Sequence, residues 1–235
     1  MKTERQLRLD LVAVGRLLYE KNLIVATDGN VSIRLPRGRL LSTPSGANKG
    51  LMKPADLIIT DMQGQKISGP GKPTSELRLH LAIYEERPDV AAVVHAHPPV
   101  ATAFTVAGVS LSDCVIPEVV FTLGSIPTSE YATPASAQGP VVIKKLIHNY
   151  DAVILDRHGA VTCGPDVWDA FKKMEKVEHA ALVNWYARQL GAVKTLPPAE
   201  VEKLMAIHDE MGLPGRMTVL VTRPAKSRRA KPRKK

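Results

Sequence analysis

Two histidines lie one residue apart at the end of an apolar segment of this sequence. The segment runs over residues 90–97 and is stopped by Pro98-Pro99, so it predicts a short buried strand that ends in His95-Ala96-His97. Residues i and i+2 of a strand point to the same face of the sheet. Neutral imidazole is the commonest metal ligand, and a catalytic zinc takes three protein ligands and keeps one position open. The pair could therefore form half of a metal site, although two unrelated histidines would show the same spacing.

A third histidine ligand would have to come from another segment of the chain. His158 lies in the turn Asp156-Arg157-His158-Gly159, between two apolar segments, 152–155 and 160–163, that predict strands. A turn at a strand end can carry a side chain over the edge of the sheet. His158 is therefore the candidate, against the simpler interpretation of an ordinary turn histidine.

The remaining histidines differ in what their positions suggest. His80 follows Glu76 by four residues and shares its helical face. Packing is favoured for His80, and a role as a ligand or as the partner of a ligand stays open. Surface or packing roles are expected for three histidines on predicted helices, namely His148, His179 and His208.

Glu76 has two interpretations. In the first turn of a helix, an acidic residue is favoured by the helix dipole and needs no further role. If Glu76 faces the histidines, it is a metal ligand or a general base. A carboxylate in that position could take the proton next to a carbonyl group and so generate an enediolate.

Three loops are rich in the groups that bind oxyanions. They are Gly29-Asn30, Thr43-Pro44-Ser45-Gly46 and Pro73-Thr74-Ser75-Glu76. Hydroxyl and backbone N–H groups donate hydrogen bonds to phosphate oxygens, and a free helix N-terminus favours an anion. We expect a helix to begin at about Thr74. Lys49 could add positive charge near the second loop or be an ordinary exposed lysine. Each loop by itself is also typical of ordinary caps and turns.

Hydrophobic periodicity and turn residues predict the elements that must position these side chains. Helices are expected over about residues 4–21, from about 74 onward, and over 100–107, 139–150, 166–190 and 199–211. Strands are expected over 31–34, 39–42, 57–60, 66–67, 90–97, 114–123, 152–155 and 160–163. Helices that alternate with strands, several of them paired as hairpins, indicate one α/β domain with helices packed on a mixed, largely antiparallel sheet.

Length and composition are those of an ordinary globular protein. The 235 residues are 44% hydrophobic and 23% charged, which excludes a disordered chain. No apolar run approaches the roughly 20 residues needed to span a bilayer, and the polar N-terminus shows no secretory signal. Two cysteines, Cys114 and Cys163, are too few for a disulfide framework. We therefore expect a cytoplasmic protein with no membrane contact.

The net charge of +9 is concentrated at the C-terminus. Residues 226–235 carry seven basic side chains and no acidic one, which leaves +2 for the rest of the chain. Such a block predicts a solvated, disordered arm. A solubilising role is expected, and nucleic-acid contact is disfavoured because no aromatic residue interleaves the tail to stack on bases.

Five segments, in this order, resemble the class II aldolase/adducin family, and within it the fuculose-1-phosphate aldolase-like branch. They are Gly29-Asn30-Val31-Ser32, Thr43-Pro44-Ser45-Gly46, Thr74-Ser75-Glu76, Val93-Val94-His95-Ala96-His97 and His158-Gly159. The resemblance covers about residues 5–210. It implies a three-layer α/β/α sandwich around a mostly antiparallel sheet. We expect the domain to span residues 1–215 and a basic, disordered tail, which lies outside the resemblance, to span 216–235.

The resemblance also implies a site. A divalent metal, usually zinc and otherwise Mn²⁺ or Co²⁺, would be held by His95, His97 and His158. Glu76 would ligate the resting metal and then act as the base. The family is commonly a homotetramer with the site at a subunit boundary, where a tyrosine of the neighbouring chain acts as the acid, and Tyr131 matches that segment best. The substrate phosphate would be held by Gly29, Asn30, Ser45, Gly46, Thr74 and Ser75.

The implied reaction is the reversible cleavage of a ketose 1-phosphate to dihydroxyacetone phosphate and an aldehyde through an enediolate. Several family members carry a smaller polar or neutral residue at the position of Arg157. Arg157 could pair with an acidic group of the substrate or with Asp156. The epimerase branch uses an acid before Gly124, where this chain has Val119-Val120-Phe121, so an epimerase is disfavoured. A dehydratase or decarboxylase stays open, as does a non-catalytic, adducin-like binding module.

Overall fold

Seven strands form one sheet in the computed structural model, which describes residues 2–220. The strands are β1 (Asn30–Leu35), β2 (Arg39–Ser42), β3 (Ile58–Asp61), β4 (Lys66–Ser68), β5 (Ala92–Ala96), β6 (Ala152–Leu155) and β7 (Gly159–Gly164). Their order in the sheet is β4-β3-β2-β1-β5-β7-β6, and each neighbouring pair is antiparallel.

Seven α-helices and one 3₁₀ turn complete the described part of the chain. The helices are α1 (Glu4–Glu20), α2 (Leu77–Glu86), α3 (Pro99–Val106), α4 (Pro117–Leu123), α5 (Gln138–Ile147), α6 (Val167–Leu190) and α7 (Pro198–Glu210), and the 3₁₀ turn spans Pro54–Asp56. α1 shows why such segments are helical: Thr3 caps its N-terminus, and Leu11, Val14 and Leu18 recur along one face and are buried.

Helices cover both faces of the sheet. Val94 of β5 belongs to a core formed with α1, α3 and α6, whereas the adjacent Val93 belongs to a second core formed with α2 and α5. This three-layer α/β/α sandwich confirms the predicted fold class. Because β5 has strands on both sides and helices above and below, all its side chains are buried, which explains its uninterrupted apolar sequence.

One predicted strand is wrong. Residues 114–123 contain helix α4, which begins at Pro117 and carries Glu118 in its first turn. Val119 and Leu123 pack into the core shared with α6, while Val120 packs into a smaller cluster with Val201 of α7. A short apolar run buried on several sides has the same sequence pattern as a buried strand, so periodicity could not distinguish the two. The other predicted elements are present, with ends that differ by at most three residues.

The last described residues return to the domain. Ser125 N donates to the carbonyl oxygen of Thr218, and Leu220 N donates to Ser125 Oγ, both at 2.9 Å. The predicted basic arm, 226–235, lies outside the described residues. Among residues 2–220, no helix combines the length and apolarity needed to cross a membrane. Cys114 and Cys163 are both buried, free cysteines.

Candidate metal centre

Strand register brings the histidines together. Ala96 of β5 pairs with Ala160 of β7, so the residues that follow β5 lie beside the residues that precede β7. His97 therefore meets His158, and His95 faces the same side of the sheet as His97. Helix α2 packs on that side and begins directly after Glu76, which places the Glu76 carboxylate against the histidines.

Three imidazoles and one carboxylate converge at this point. The ring centroids of the three histidines lie 4.8 to 5.0 Å apart. Glu76 Oε2 lies 3.2 Å from His95 Nε2, and Glu76 Oε1 lies 3.3 Å from His158 Nε2. One candidate ligand atom from each of the four residues lies within 4.8 Å of the other three. The structure thus brings together all four residues that the sequence proposed as metal ligands.

Neighbouring oxygens fix which ring nitrogen faces the centre. His95 Nδ1 lies 2.9 Å from the carbonyl oxygen of Ala160, which can only accept, so Nδ1 carries the proton. His97 Nδ1 lies 3.4 Å from Asp28 Oδ2, which favours the same tautomer. The Nε2 atoms of His95 and His97 therefore present lone pairs to each other across 3.2 Å.

The protonation states also suit a metal. Burial and the neighbouring His95 lower the pKa of His158 to about 4, and the same two causes lower the pKa of His97. Burial alone would raise the pKa of Glu76, but the neighbouring His95 and His158 rings and the hydrogen bond from Asn30 Nδ2 bring it well below its ordinary value. Neutral imidazole and ionised carboxylate are the forms in which these groups bind a cation.

The donor set fits a divalent transition metal. Imidazole nitrogens suit zinc, copper, iron and nickel, and a carboxylate oxygen completes a compact set of four ligands. With Nδ1 of His95 and His97 protonated, the Nε2 lone pairs of these two rings and the Glu76 carboxylate face one another. A cation at their centre would satisfy all of them at once.

Gly159 allows the close approach of the β6–β7 turn to His97. A Cβ atom at this position would lie 2.3 Å from the carbonyl oxygen of Ala96 and 2.8 Å from His97 Cδ2. The backbone oxygen cannot move without disturbing the pairing of β5 with β7. Only glycine fits here, and the need comes from space rather than from backbone dihedral angles.

Replacing Gly159 with alanine is expected to push His97 out of the cluster, to weaken metal binding and to destabilise the fold by about 1–3 kcal/mol. Metal titration and thermal unfolding measure the two effects. Gly139→Ala is the matched control, because a Cβ atom there would meet its nearest neighbour from another part of the chain, Leu79 Cδ1, at 3.9 Å. A Gly159→Ala protein with wild-type metal affinity would contradict this account of the turn.

A series of buried hydrogen bonds leads away from Glu76 into the core. Asn30 Nδ2 donates to Glu76 Oε2 at 3.0 Å, and Asn30 Oδ1 lies 2.6 Å from His80 Nε2. His80 Nδ1 lies 2.7 Å from Ser32 Oγ, which lies 2.8 Å from the Tyr84 hydroxyl. His80 therefore does more than pack. Burial, with His95 nearby, lowers the pKa of His80 to about 3, so its ring is neutral at pH 7.

The sequence did not predict that these five residues form one hydrogen-bonded series, although two of its patterns pointed to it. Glu76, which directly precedes α2, is followed by His80 and Tyr84 on α2 at intervals of four residues. Asn30 and Ser32 alternate on β1, so they point to the same face of the sheet. Only the packing of α2 on β1 shows that the two polar rows meet.

Of the three loops proposed to bind phosphate, the structure shows two in direct contact with each other. Pro44 and Pro73 form an isolated antiparallel bridge, so the second and third loops lie side by side. Ser45 N donates to the carbonyl oxygen of Lys72, which removes that amide as a phosphate donor. The expected helix start at Thr74 is wrong, because α2 begins at Leu77 and the turn before it is closed by a hydrogen bond from Leu77 N to the Thr74 carbonyl oxygen.

Lys49 is 2% exposed, so the alternative of an ordinary exposed lysine is wrong. Its ammonium group donates to the carbonyl oxygen of Thr27, in the loop that leads to Gly29. Burial lowers the pKa of Lys49 to about 8, against the attraction of Asp28 and Glu76 for the charged form. Between about pH 8 and 10.5 the folded protein therefore binds fewer protons at this position than the unfolded chain, and folding stability should rise with pH in that window.

Lys49→Met is expected to raise the free energy of unfolding at pH 7 by about 1–2 kcal/mol, because the cost of burying the charge exceeds that of the lost hydrogen bond. This advantage should shrink as the pH rises from 8 to 10.5, because folded wild-type Lys49 is then already neutral and the proton that the unfolded chain still holds costs less and less to release. Urea unfolding across that range measures it. The exposed Lys72→Met is the control, and a Lys49→Met difference that does not change with pH would contradict the prediction.

An open cleft of about 410 Å³ leads to the histidine cluster, with Glu76, Arg78, Ser129 and His158 among its lining residues. Tyr131 is 55% exposed and does not line the cleft of its own chain, so its role as an acid stays a prediction.

Arg157 has a left-handed backbone, with φ of 55°, and its amide donates to Thr105 Oγ1 at 2.9 Å. Of its two predicted partners, Asp156 is the one seen in the structure, with Arg157 Nε 3.8 Å from Asp156 Oδ2. The guanidinium group itself is exposed.

The fold and the cluster together define a class of protein: a three-layer sandwich that gathers three histidines and a glutamate at the end of the inner strand β5. The chain belongs to the family described as the class II aldolase and adducin N-terminal domain, which matches residues 9–185.

Individual relatives carry more than one named activity. The L-fuculose phosphate aldolase of Methanococcus maripaludis strain S2 is 36% identical over 182 residues, which cover 77% of this chain and 97% of the relative. The 3-oxo-tetronate 4-phosphate decarboxylase of Escherichia coli K12 is 32% identical over 184 residues, which cover 77% of this chain and 86% of the relative. A solved structure of an L-fuculose 1-phosphate aldolase superposes with a TM-score of 0.80 at 27% identity, covering 88% of this chain and 97% of the other.

Proposed function

We propose that this chain is a metal-dependent aldolase that reversibly cleaves a ketose 1-phosphate, similar to fuculose 1-phosphate, to dihydroxyacetone phosphate and an aldehyde. The convergence of His95, His97, His158 and Glu76 within 4.8 Å carries the proposal. Aldolases that act on sugar phosphates among the relatives support the substrate class. The proposed metal is one Zn²⁺ per subunit, with Mn²⁺ or Co²⁺ as alternatives, because nitrogen-rich sites of this size suit zinc.

When bound, the cation would act as a Lewis acid toward the carbonyl oxygen of the donor substrate. Glu76 is assigned as the base that removes the proton from the adjacent carbon. Its carboxylate is ionised, half-buried and held by Asn30 Nδ2 at 3.0 Å, so it has a fixed position and is free to accept a proton. The carbanion formed in this way would attack the aldehyde.

The substrate phosphate is assigned to the loops that carry Gly29, Asn30, Ser45, Gly46, Thr74 and Ser75. The bridge between Pro44 and Pro73, which sets two of these loops side by side, supports this assignment. The new alkoxide is assigned a proton from Tyr131 of a neighbouring subunit in a homotetramer. The exposure of Tyr131 outside its own cleft supports a role across a subunit boundary. The two free thiols agree with a cytoplasmic protein.

The test is the release of dihydroxyacetone phosphate from a panel of ketose 1-phosphates by zinc-loaded protein, with and without a chelator. Release that the chelator abolishes and added Zn²⁺ restores is the expected result. Protein that is shown to carry its metal and releases nothing from any member of the panel would overturn the aldolase assignment.

A decarboxylase is the second candidate, and two observations favour it. The E. coli relative named a 3-oxo-tetronate 4-phosphate decarboxylase is 32% identical. Arg78, whose side chain is exposed, lines the cleft beside Glu76 and could bind a substrate carboxylate. Release of CO₂ from a 3-oxo acid phosphate, with no release of dihydroxyacetone phosphate from ketose 1-phosphates, would select this alternative.

A further inference from the structure

His80 is hydrogen-bonded to Asn30, and Asn30 in turn donates a hydrogen bond to Glu76. We infer that His80 is a positioning residue: its ring holds the Asn30 amide in the orientation that presents Nδ2 to the Glu76 carboxylate. The inference rests on the proposed role of Glu76 as ligand and base. It assigns a purpose to a buried histidine that touches neither the metal cluster nor the cleft.

The donors and acceptors of these side chains allow only one direction of hydrogen bonding from Tyr84 to Glu76. The Glu76 carboxylate can only accept, so the Asn30 atom that faces it at 3.0 Å must be Nδ2. Asn30 Oδ1 then faces His80 across 2.6 Å and can only accept, so His80 Nε2 carries the ring proton. A neutral ring has one such proton, so His80 Nδ1 accepts from Ser32 Oγ, and the Ser32 oxygen accepts in turn from the Tyr84 hydroxyl.

The reverse arrangement would disable Glu76. If His80 carried its proton on Nδ1, Nε2 would be an acceptor and the Asn30 amide would turn its NH₂ group toward the ring. Asn30 Oδ1 would then face the Glu76 carboxylate, and two oxygen acceptors would meet at about 3 Å. The tautomer of His80 therefore decides whether Asn30 attracts or repels the carboxylate.

Burial strongly favours this one tautomer of His80 and this one orientation of the Asn30 amide. His80 and Ser32 have no exposed surface, and Asn30 and Tyr84 are almost completely buried. Water cannot replace a lost partner in such a site, so breaking one link leaves a buried polar group unsatisfied. The Tyr84 ring also lies against the Arg34 guanidinium, 4.8 Å from ring centroid to Cζ, which fixes the far end of the chain.

The test is a titration of the metal-free protein with Co²⁺, followed by the visible absorption of the bound ion, for four variants. His80→Phe keeps the bulk of the ring and removes both nitrogens, and Ser32→Ala removes only the donor to Nδ1. We expect Co²⁺ binding to weaken by about tenfold to a hundredfold in His80→Phe, with a changed spectrum as Glu76 leaves its position, and to weaken less in Ser32→Ala.

Two further variants separate positioning from packing. His80→Gln keeps a side-chain N–H for Asn30 Oδ1 and is expected to restore most of the affinity that His80→Phe loses. Tyr84→Phe removes the last donor but leaves the bond between Ser32 and His80, so it is expected to resemble the wild type. Wild-type affinity and spectrum in both His80→Phe and Ser32→Ala would overturn the inference, and if His80→Phe does not fold, Ser32→Ala decides alone.

A second readout tells this inference from the proposed function. Exchange of the donor's carbon-bound proton with D₂O, followed by NMR on dihydroxyacetone phosphate, reports proton removal by Glu76. If the wild type shows no exchange while the Co²⁺ series behaves as expected, the positioning role stands and the aldolase assignment fails. If the wild type exchanges and the Co²⁺ series shows no effect, the aldolase stands and the role of His80 fails.

Discussion

Replacing His95 with alanine is expected to abolish tight metal binding and to lower turnover by about a thousandfold or more. His95 is completely buried near the end of the inner strand β5, and its Nε2 faces Glu76, His97 and the centre of the cluster. Removing it leaves a cavity with one ligand fewer, and the several kcal/mol by which a bound cation stabilises developing charge are lost with the cation. Metal content after dialysis and the rate of dihydroxyacetone phosphate release measure the two effects.

His179→Ala is the matched control, because His179 is an exposed histidine on α6. It should retain wild-type metal content and activity. His158→Ala should resemble His95→Ala, although His158 is less deeply buried and its loss should cost less stability. Full metal content in both His95→Ala and His158→Ala would show that the cluster is not the metal site.

Glu76→Gln separates metal binding from proton transfer. Glutamine keeps the size of the side chain but cannot take up a proton, so the exchange of the donor's carbon-bound proton should fall by about 10²–10⁴-fold. The three histidines stay in place, so Zn²⁺ should still bind, although more weakly. The exchange rate and the metal affinity, measured on the same preparation, give the two numbers.

Glu85→Gln on the same helix is the control for this substitution. Glu85 is exposed and pairs with Lys144, and its replacement should change neither quantity. A Glu76→Gln protein that loses its metal entirely would make Glu76 an essential ligand and leave its role as base without support. One that keeps both metal and full exchange would exclude Glu76 as the base.

Strand and helix geometry explain how much of the site the sequence could predict. His95 and His97 are two residues apart, and the period of a strand alone places them on one face. His158 could be proposed as the third ligand because it lies in a turn between two predicted strands, and a turn at a strand end can carry a side chain over the edge of the sheet. The alternation of elements predicted an α/β domain with a largely antiparallel sheet, and the three-layer arrangement was implied by the resemblance to the family. The wrong strand at 114–123 shows the limit, because burial on several sides removes the periodicity that separates helix from strand.

The sequence by itself determined the elements other than α4, the histidine pair and the candidates for a third ligand and an acid, because these depend on local spacing along the chain. Only the tertiary structure decided that Ala96 lies opposite Ala160, and hence that His158 reaches His97. It also decided that α2 lies on β1, so that His80 holds Asn30 and Asn30 holds Glu76. Register and packing are settled by the burial of two whole cores at once, which no single segment of the chain encodes.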